Sequence, residues 1–164
     1  MKPSLVIIAA LAFLFVAYTD AQVQAPLDVQ QALGLVRTLN TIQVVIANKT
    51  KRYGSQADML TGQRGLAPFL EAHSADKSTL EWEQHVNFAS SHVLPGWTLD
   101  FALVGKGYRL ILTGKDDVLI TDETGVIYRA ATVQLAPKAA QLKSAKDFPG
   151  AIAHNLWEEQ KQQR

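Results

Sequence analysis

The chain has 164 residues, a one-domain length that can bury a real core. With 48% hydrophobic and 19% charged residues, wholesale disorder is excluded, and a net charge of +1 with scattered Lys and Arg excludes a nucleic-acid footprint. The absence of cysteine removes thiolate catalysis, disulfides and cysteine-based zinc sites together.

The chain opens on MKPSLVIIAALAFLFVAYTDAQ, in which Lys2 and the amino terminus supply positive charge and Leu5 to Tyr18 form an unbroken apolar run. Small residues at Thr19 and Ala21 occupy the −3 and −1 positions of a cleavage after Ala21. The run is short for a comfortable span and suits a signal-peptide core. Residues 1–21 are therefore expected to be a secretory signal, the alternative being a retained N-terminal anchor.

From Asp28 a helix of about 24 residues is expected, with Asp28 as N-cap and Ala32, Leu35, Leu39, Ile42 and Ile46 as the buried stripe. Gln31, Arg37, Gln43 and Lys49 are expected to face water. Gly54 reads as the stop, and Gly34 inside the helix costs about 1 kcal/mol against Ala and marks close packing. Residues 55–77 read as short helical turns broken by Gly62, Gly65 and Pro68. The stretch STLEWEQHVNFASSHV reads as another helix, with Ser78 and Glu81 as a capping box and Leu80, Trp82, Val86 and Ala89 buried.

At Trp97 the period changes to two. Leu99, Phe101 and Leu103 alternate with Thr98, Asp100 and Ala102; Tyr108, Leu110 and Leu112 follow after GKG; Val118 to Thr121 and Val126 to Ala131 complete four half-buried strands. Short connections make antiparallel neighbours, so the expected fold class is α+β, a long helix lidding a meander of about four strands. Residues 137–164 read as a helical or partly disordered tail, with Phe148, Ile152, Leu156 and Trp157 as a weak stripe.

Two stretches carry a resemblance. Arg37, Thr38, Leu39, Asn40, Thr41 and Gln43 in the helix, then Asp122, Glu123, Thr124, Gly125, Val126 and Ile127 before the last strand, make residues 30–131 resemble the globular head of bacterial type IV pilin-like and pseudopilin-like proteins. The resemblance implies a pilin-like head over residues 22–136, the helix laid across an antiparallel sheet. The prepilin Gly-Phe-Thr-Leu-Ile-Glu text does not occur in the chain. The expected function is that of an exported, non-catalytic protein, periplasmic or extracellular, working through contacts with envelope, pilus or secretion proteins. Its membrane contact would run only through an uncleaved N-terminal segment. The alternatives are a membrane-anchored pseudopilin subunit and a small periplasmic ligand-binding or enzymatic module in a groove beside residues 63–95.

Chemistry-bearing residues are few. The acidic turns place Asp116, Asp117, Asp122 and Glu123 as calcium candidates, and the resemblance adds that the major pseudopilins bind calcium in this part of their fold; turns require Asp and Gly in any case. No other cofactor is expected. Glu81 and His85 share a face if helical, with His92 seven beyond, yet no His-Glu-x-x-His pairing occurs. There is no G-x-S-x-G elbow or Walker spacing, so an enzyme is not expected. The glycines of GKG and TGK suit hairpins, and Trp82, Trp97 and Trp157 read as core more readily than as recognition anchors.

Overall fold

A computed structural model of the chain describes residues 28–74, 81–131 and 137–155. The expected signal segment, Ser78, Leu80, Leu156 and Trp157 lie outside the described residues. Helix α1 runs over Val29–Thr50. Asp28 caps it as expected: its carboxylate accepts from the Gln31 N–H (2.9 Å), and the Gln31 side-chain oxygen accepts from the Asp28 N–H (3.2 Å). Two orphan donors of the first turn are thereby satisfied reciprocally.

The other end corrects the sequence reading. The helix stops at Lys51, which takes the left-handed conformation (φ 63) and donates its N–H to the Ala47 carbonyl, 2.8 Å away. Gly54 lies beyond the cap and is buried; a Cβ there would meet Ile46 Cδ1 at 2.9 Å, so glycine lets the returning chain close on the helix. Gln43, expected to face water, is fully buried. Its amide oxygen accepts from the Gly54 N–H (2.9 Å) and its amide nitrogen donates to the Gly54 carbonyl (3.1 Å). A primary amide has one donor and one acceptor side to offer, and here both satisfy a backbone that would otherwise be orphaned inside.

Helices α2 (Gln56–Leu60) and α3 (Leu66–Ser74) follow, separated by the Gly62–Gly65 turn. Pro68 does not break α3, because it sits in the first turn, where its missing N–H has no intrahelical partner to lose. The second long helix does not form. Residues Glu81–His85 make a 3-10 turn, and an irregular loop continues to Leu94. Local side chains take the backbone instead: Asn87 Oδ1 accepts from the Ala89 N–H (2.8 Å) and Ser90 Oγ from the His92 N–H (3.2 Å). Asn and Ser compete with helical bonding in this way. Trp82 is buried as expected, and its indole lies on Gly34, where a Cβ would come within 2.6 Å of Nε1.

The sheet has five strands in the order β1 (Thr98–Val104), β2 (Gly107–Thr113), β3 (Val118–Asp122), β4 (Ile127–Ala130) and β5 (Ile152–Ala153), each antiparallel to the next. Four were expected; the fifth is a two-residue strand from the C-terminal segment. One face, with Leu99, Tyr108, Leu110, Leu112 and Leu119, packs under α1. The strands were expected to be half-buried, yet β2 is buried at its first six positions. Residues 137–151 cover the other face, with Ala139, Leu142, Ala145 and Phe148 sealing Ile111, Val118, Ile120 and Ala130. The segment read as a helical or partly disordered tail thus supplies half of a second core. It does so in two 3-10 turns, Ala139–Gln141 and Ala145–Asp147, with no α-helix between Pro137 and Ala153.

Candidate functional site

The acidic candidates separate into two pairs. Asp116 and Asp117 occupy the β2–β3 turn, whereas Asp122 and Glu123 stand at the far end of β3. A strand rises about 3.3 Å per residue, so Asp117 and Asp122 are about 16 Å apart along it, while one calcium ion needs its oxygens within about 2.6 Å of itself. Asp117 accepts from Arg129 Nε at 2.9 Å, Glu123 pairs with Arg109, and Asp116 is exposed. Among the described residues no group of three or more acidic or histidine side chains could hold a metal.

Asp122 has a structural task. Its Oδ1 accepts from the Thr124 N–H (3.0 Å) and hydroxyl (2.6 Å), and its Oδ2 from the Ala145 N–H (2.8 Å) and Ser144 hydroxyl (3.2 Å). Burial alone would raise its pKa, but the bonds from Thr124, Ala145 and Ser144 together hold the carboxyl below its ordinary value of 3.8. One side chain thereby shapes the β3–β4 turn and fastens the C-terminal segment to it.

The histidines do not converge on Glu81. In a 3-10 turn residues four apart are offset by about 120°, so Glu81 and His85 lose the common face that an α-helix would provide. Glu81 instead accepts from Gln31 Nε2 on α1, and His73 stacks on Phe69 with ring centroids 4.5 Å apart. Trp82 and Trp97 are both core residues.

A polar node joins α1 to the sheet. Asn40 is buried; its amide nitrogen donates to Thr121 Oγ1 (3.0 Å) and to the Gly125 carbonyl (3.3 Å), and its oxygen accepts from the Tyr108 hydroxyl (2.9 Å). Tyr108 is held in turn between Tyr53, edge-on at 5.0 Å, and Phe101, stacked at 5.9 Å. Burial above all, with Tyr53, Asp122 and Glu123 nearby, pushes the Tyr108 hydroxyl far up, so it remains a neutral donor.

Beside this node opens the larger cleft, about 1010 Å³, between the end of α1, the α2–α3 turn and the β1–β2 hairpin. Lys51, Arg52, Arg64 and Lys106 line it, with Asp58 as the one carboxylate. Asp58 is held below its ordinary value chiefly by hydrogen bonds from Ser55, with Arg52 nearby contributing. Leu103, 51% exposed, forms part of its wall. Sequence reading missed this cluster because its four cations come from three separate stretches; the only local hint was Lys106 raised between two glycines at a hairpin tip. A smaller, apolar cleft of about 470 Å³ lies between α1 and α3, walled by Ile42, Val45, Pro68 and Phe69. Both clefts adjoin residues 62–69, at the start of the region where a groove was expected.

No protein-family model matches the chain, and no curated protein or solved structure matches it either. Among the described residues no helix is long and apolar enough to cross a membrane.

Proposed function

We propose that this chain is an exported, non-catalytic protein with a pilin-like head, acting through protein–protein contacts in the bacterial envelope as an accessory of type IV pilus or type II secretion machinery. One observation carries the reading. The two stretches that bear the resemblance, the Arg37–Gln43 helix text and the Asp122–Ile127 turn text, meet in space through Asn40, Thr121 and Gly125. A helix fastened in this way across an antiparallel meander is the arrangement the resemblance implies. Of the acidic candidates, Asp117 and Glu123 are engaged in ion pairs and Asp122 in turn and backbone bonds, which favours contact over catalysis.

Export is tested by producing the chain with a C-terminal tag in a bacterial host, fractionating the cells and sequencing the N-terminus of the product. The expected result is a periplasmic or secreted protein beginning near Gln22. A cytoplasmic protein retaining Met1 overturns the export reading, and a membrane-held product retaining residues 5–18 replaces it with an anchored subunit. In-cell crosslinking followed by mass spectrometry tests the contact reading: crosslinks to pilus or secretion components support it, and their absence in a producing strain that assembles those machines counts against it.

A further inference from the structure

We infer that the outer edge of β1, from Phe101 to Val104, together with the basic cleft beside it, is a docking site for an extended acidic peptide segment of a partner protein, held by strand addition. The inference rests on the contact reading above only in supposing that a partner exists.

Backbone parity shows which groups are on offer. β1 pairs with β2 on one side only, in a register that ends at Val104↔Gly107 across the two-residue turn Gly105–Lys106. In an antiparallel pair, residues alternate between bonding the neighbour and pointing away from it. The Leu99 N–H points away: it donates to the Ser91 carbonyl at 2.7 Å. Phe101 and Leu103 share that parity, so their N–H and C=O groups also face outward. The loop that covers the edge at Leu99 supplies no backbone partner to Phe101 or Leu103 among the described residues. A row of such groups is a template for another strand.

Charge selects the occupant. Lys51, Arg52, Arg64 and Lys106 ring the cleft against Asp58 alone, and none of the four is in a salt bridge among the described residues. A chain whose net charge is +1 therefore concentrates an excess of three positive charges in one place. The side chains of an added strand alternate between the two faces of the sheet, so every second one leans over Leu103 into the cleft. Acidic residues at those positions meet the cations, while main-chain bonds to Phe101 and Leu103 supply register. A second copy of β1 fits poorly. Its sole carboxylate, Asp100, lies on the opposite face of the sheet from Leu103, where it accepts from the Ala139 N–H at 2.9 Å, so it does not reach the cleft.

The test uses the purified protein and fluorescently labelled eight-residue peptides of alternating Val and Glu, with an alternating Val and Lys peptide and a fully N-methylated Val and Glu peptide as comparisons. Fluorescence anisotropy is expected to show saturable, salt-sensitive binding of the Val–Glu peptide, with both comparison peptides at least tenfold weaker. The double variant R64E/K106E is expected to weaken binding at least tenfold. Leu103→Pro should do the same, since it removes an outward N–H and no ladder bond, whereas Leu103→Thr retains binding. Circular dichroism and thermal melting establish that each variant is folded; if Leu103→Pro is not, the charge reversal and the N-methylated peptide decide. Absent binding to the native protein, equal binding of the Lys peptide, or equal binding of the N-methylated peptide each overturns the proposal. So does concentration-dependent dimerisation that R64E/K106E leaves intact and the Val–Glu peptide fails to compete. These outcomes are read on purified protein and leave the export and crosslinking results untouched.

Discussion

The hydroxyl of Tyr108 donates to Oδ1 of Asn40 across 2.9 Å, joining the first helix to the second strand over 68 residues of chain, with both residues buried. Because Asn40 also donates to Thr121 and Gly125, this one amide fixes how α1 lies on the sheet.

Asn40→Ala leaves the Tyr108 hydroxyl, Thr121 and the Gly125 carbonyl short of a partner. A buried unsatisfied group costs about 1–3 kcal/mol, so a loss of about 3 kcal/mol is expected in urea unfolding. Tyr108→Phe removes one donor and is expected to cost about 1 kcal/mol. The double variant should lose less than the sum, because the two changes delete the same bond.

Asp122→Asn is expected to loosen the C-terminal segment. An amide nitrogen facing the Ala145 or Thr124 N–H replaces an accepted bond with two opposed donors, at a cost of about 2–3 kcal/mol. The sign of the pH effect follows from the lowered folded-state pKa: the contribution is fully present above the unfolded value of 3.8 and is lost as pH falls below it through the folded value. Chemical unfolding from pH 7 to pH 2.5 should show the native protein losing stability below about pH 4, and the variant lacking that part of the decline.

Gly34→Ala sets two effects against each other. Helix propensity favours Ala by about 1 kcal/mol, but the new Cβ would sit 2.6 Å from Trp82 Nε1 in a buried site, and overpacking costs about 1–3 kcal/mol. The expected net result is a loss of about 1 kcal/mol with a shifted tryptophan emission maximum. Adding Trp82→Leu should relieve the clash, so the cost of Gly34→Ala measured in that background should fall.

Gln43→Leu keeps the volume and removes both bonds to Gly54. The Gly54 N–H and carbonyl are then buried without partners, and a loss of about 2–4 kcal/mol is expected in thermal or urea unfolding. A surface glutamine would show no such cost, so this measurement checks the burial of Gln43 directly.

Phe148→Ala removes the largest side chain that the C-terminal segment places on the second face of the sheet. Truncation of a buried phenylalanine costs about 3–5 kcal/mol. A comparable loss is expected, together with binding of a hydrophobic dye as Ile111 and Ile120 become accessible. An unchanged melting curve would show that residues 137–151 are dispensable to the core.

Much of the architecture was legible in local pattern. The α1 stripe, the Asp28 cap and the change to period two at Trp97 are all short-range signals, and short hairpins leave antiparallel pairing as the natural outcome. Other features were hidden because a second segment, distant in sequence, decides them. Gln43 reads as a surface residue until the chain returns with Gly54. Asp122 reads as a turn residue or a metal ligand until Ser144 and Ala145 arrive to bind it. Glu81 and His85 look like a helix-face pair until Asn87 and Ser90 redirect the backbone and leave only a 3-10 turn.

By itself, then, the sequence determined the elements whose causes are local: a capped amphipathic helix, glycine-punctuated hairpins, and an absence of cysteine that removes a whole class of chemistry. Tertiary structure alone decided which polar groups are buried, that the sheet is covered on both faces, and that Lys51, Arg52, Arg64 and Lys106 share one cleft beside an open edge. The physical reason is range. Periodicity and capping act over a few residues, whereas burial and the summed field of charges depend on which distant segments the chain brings together.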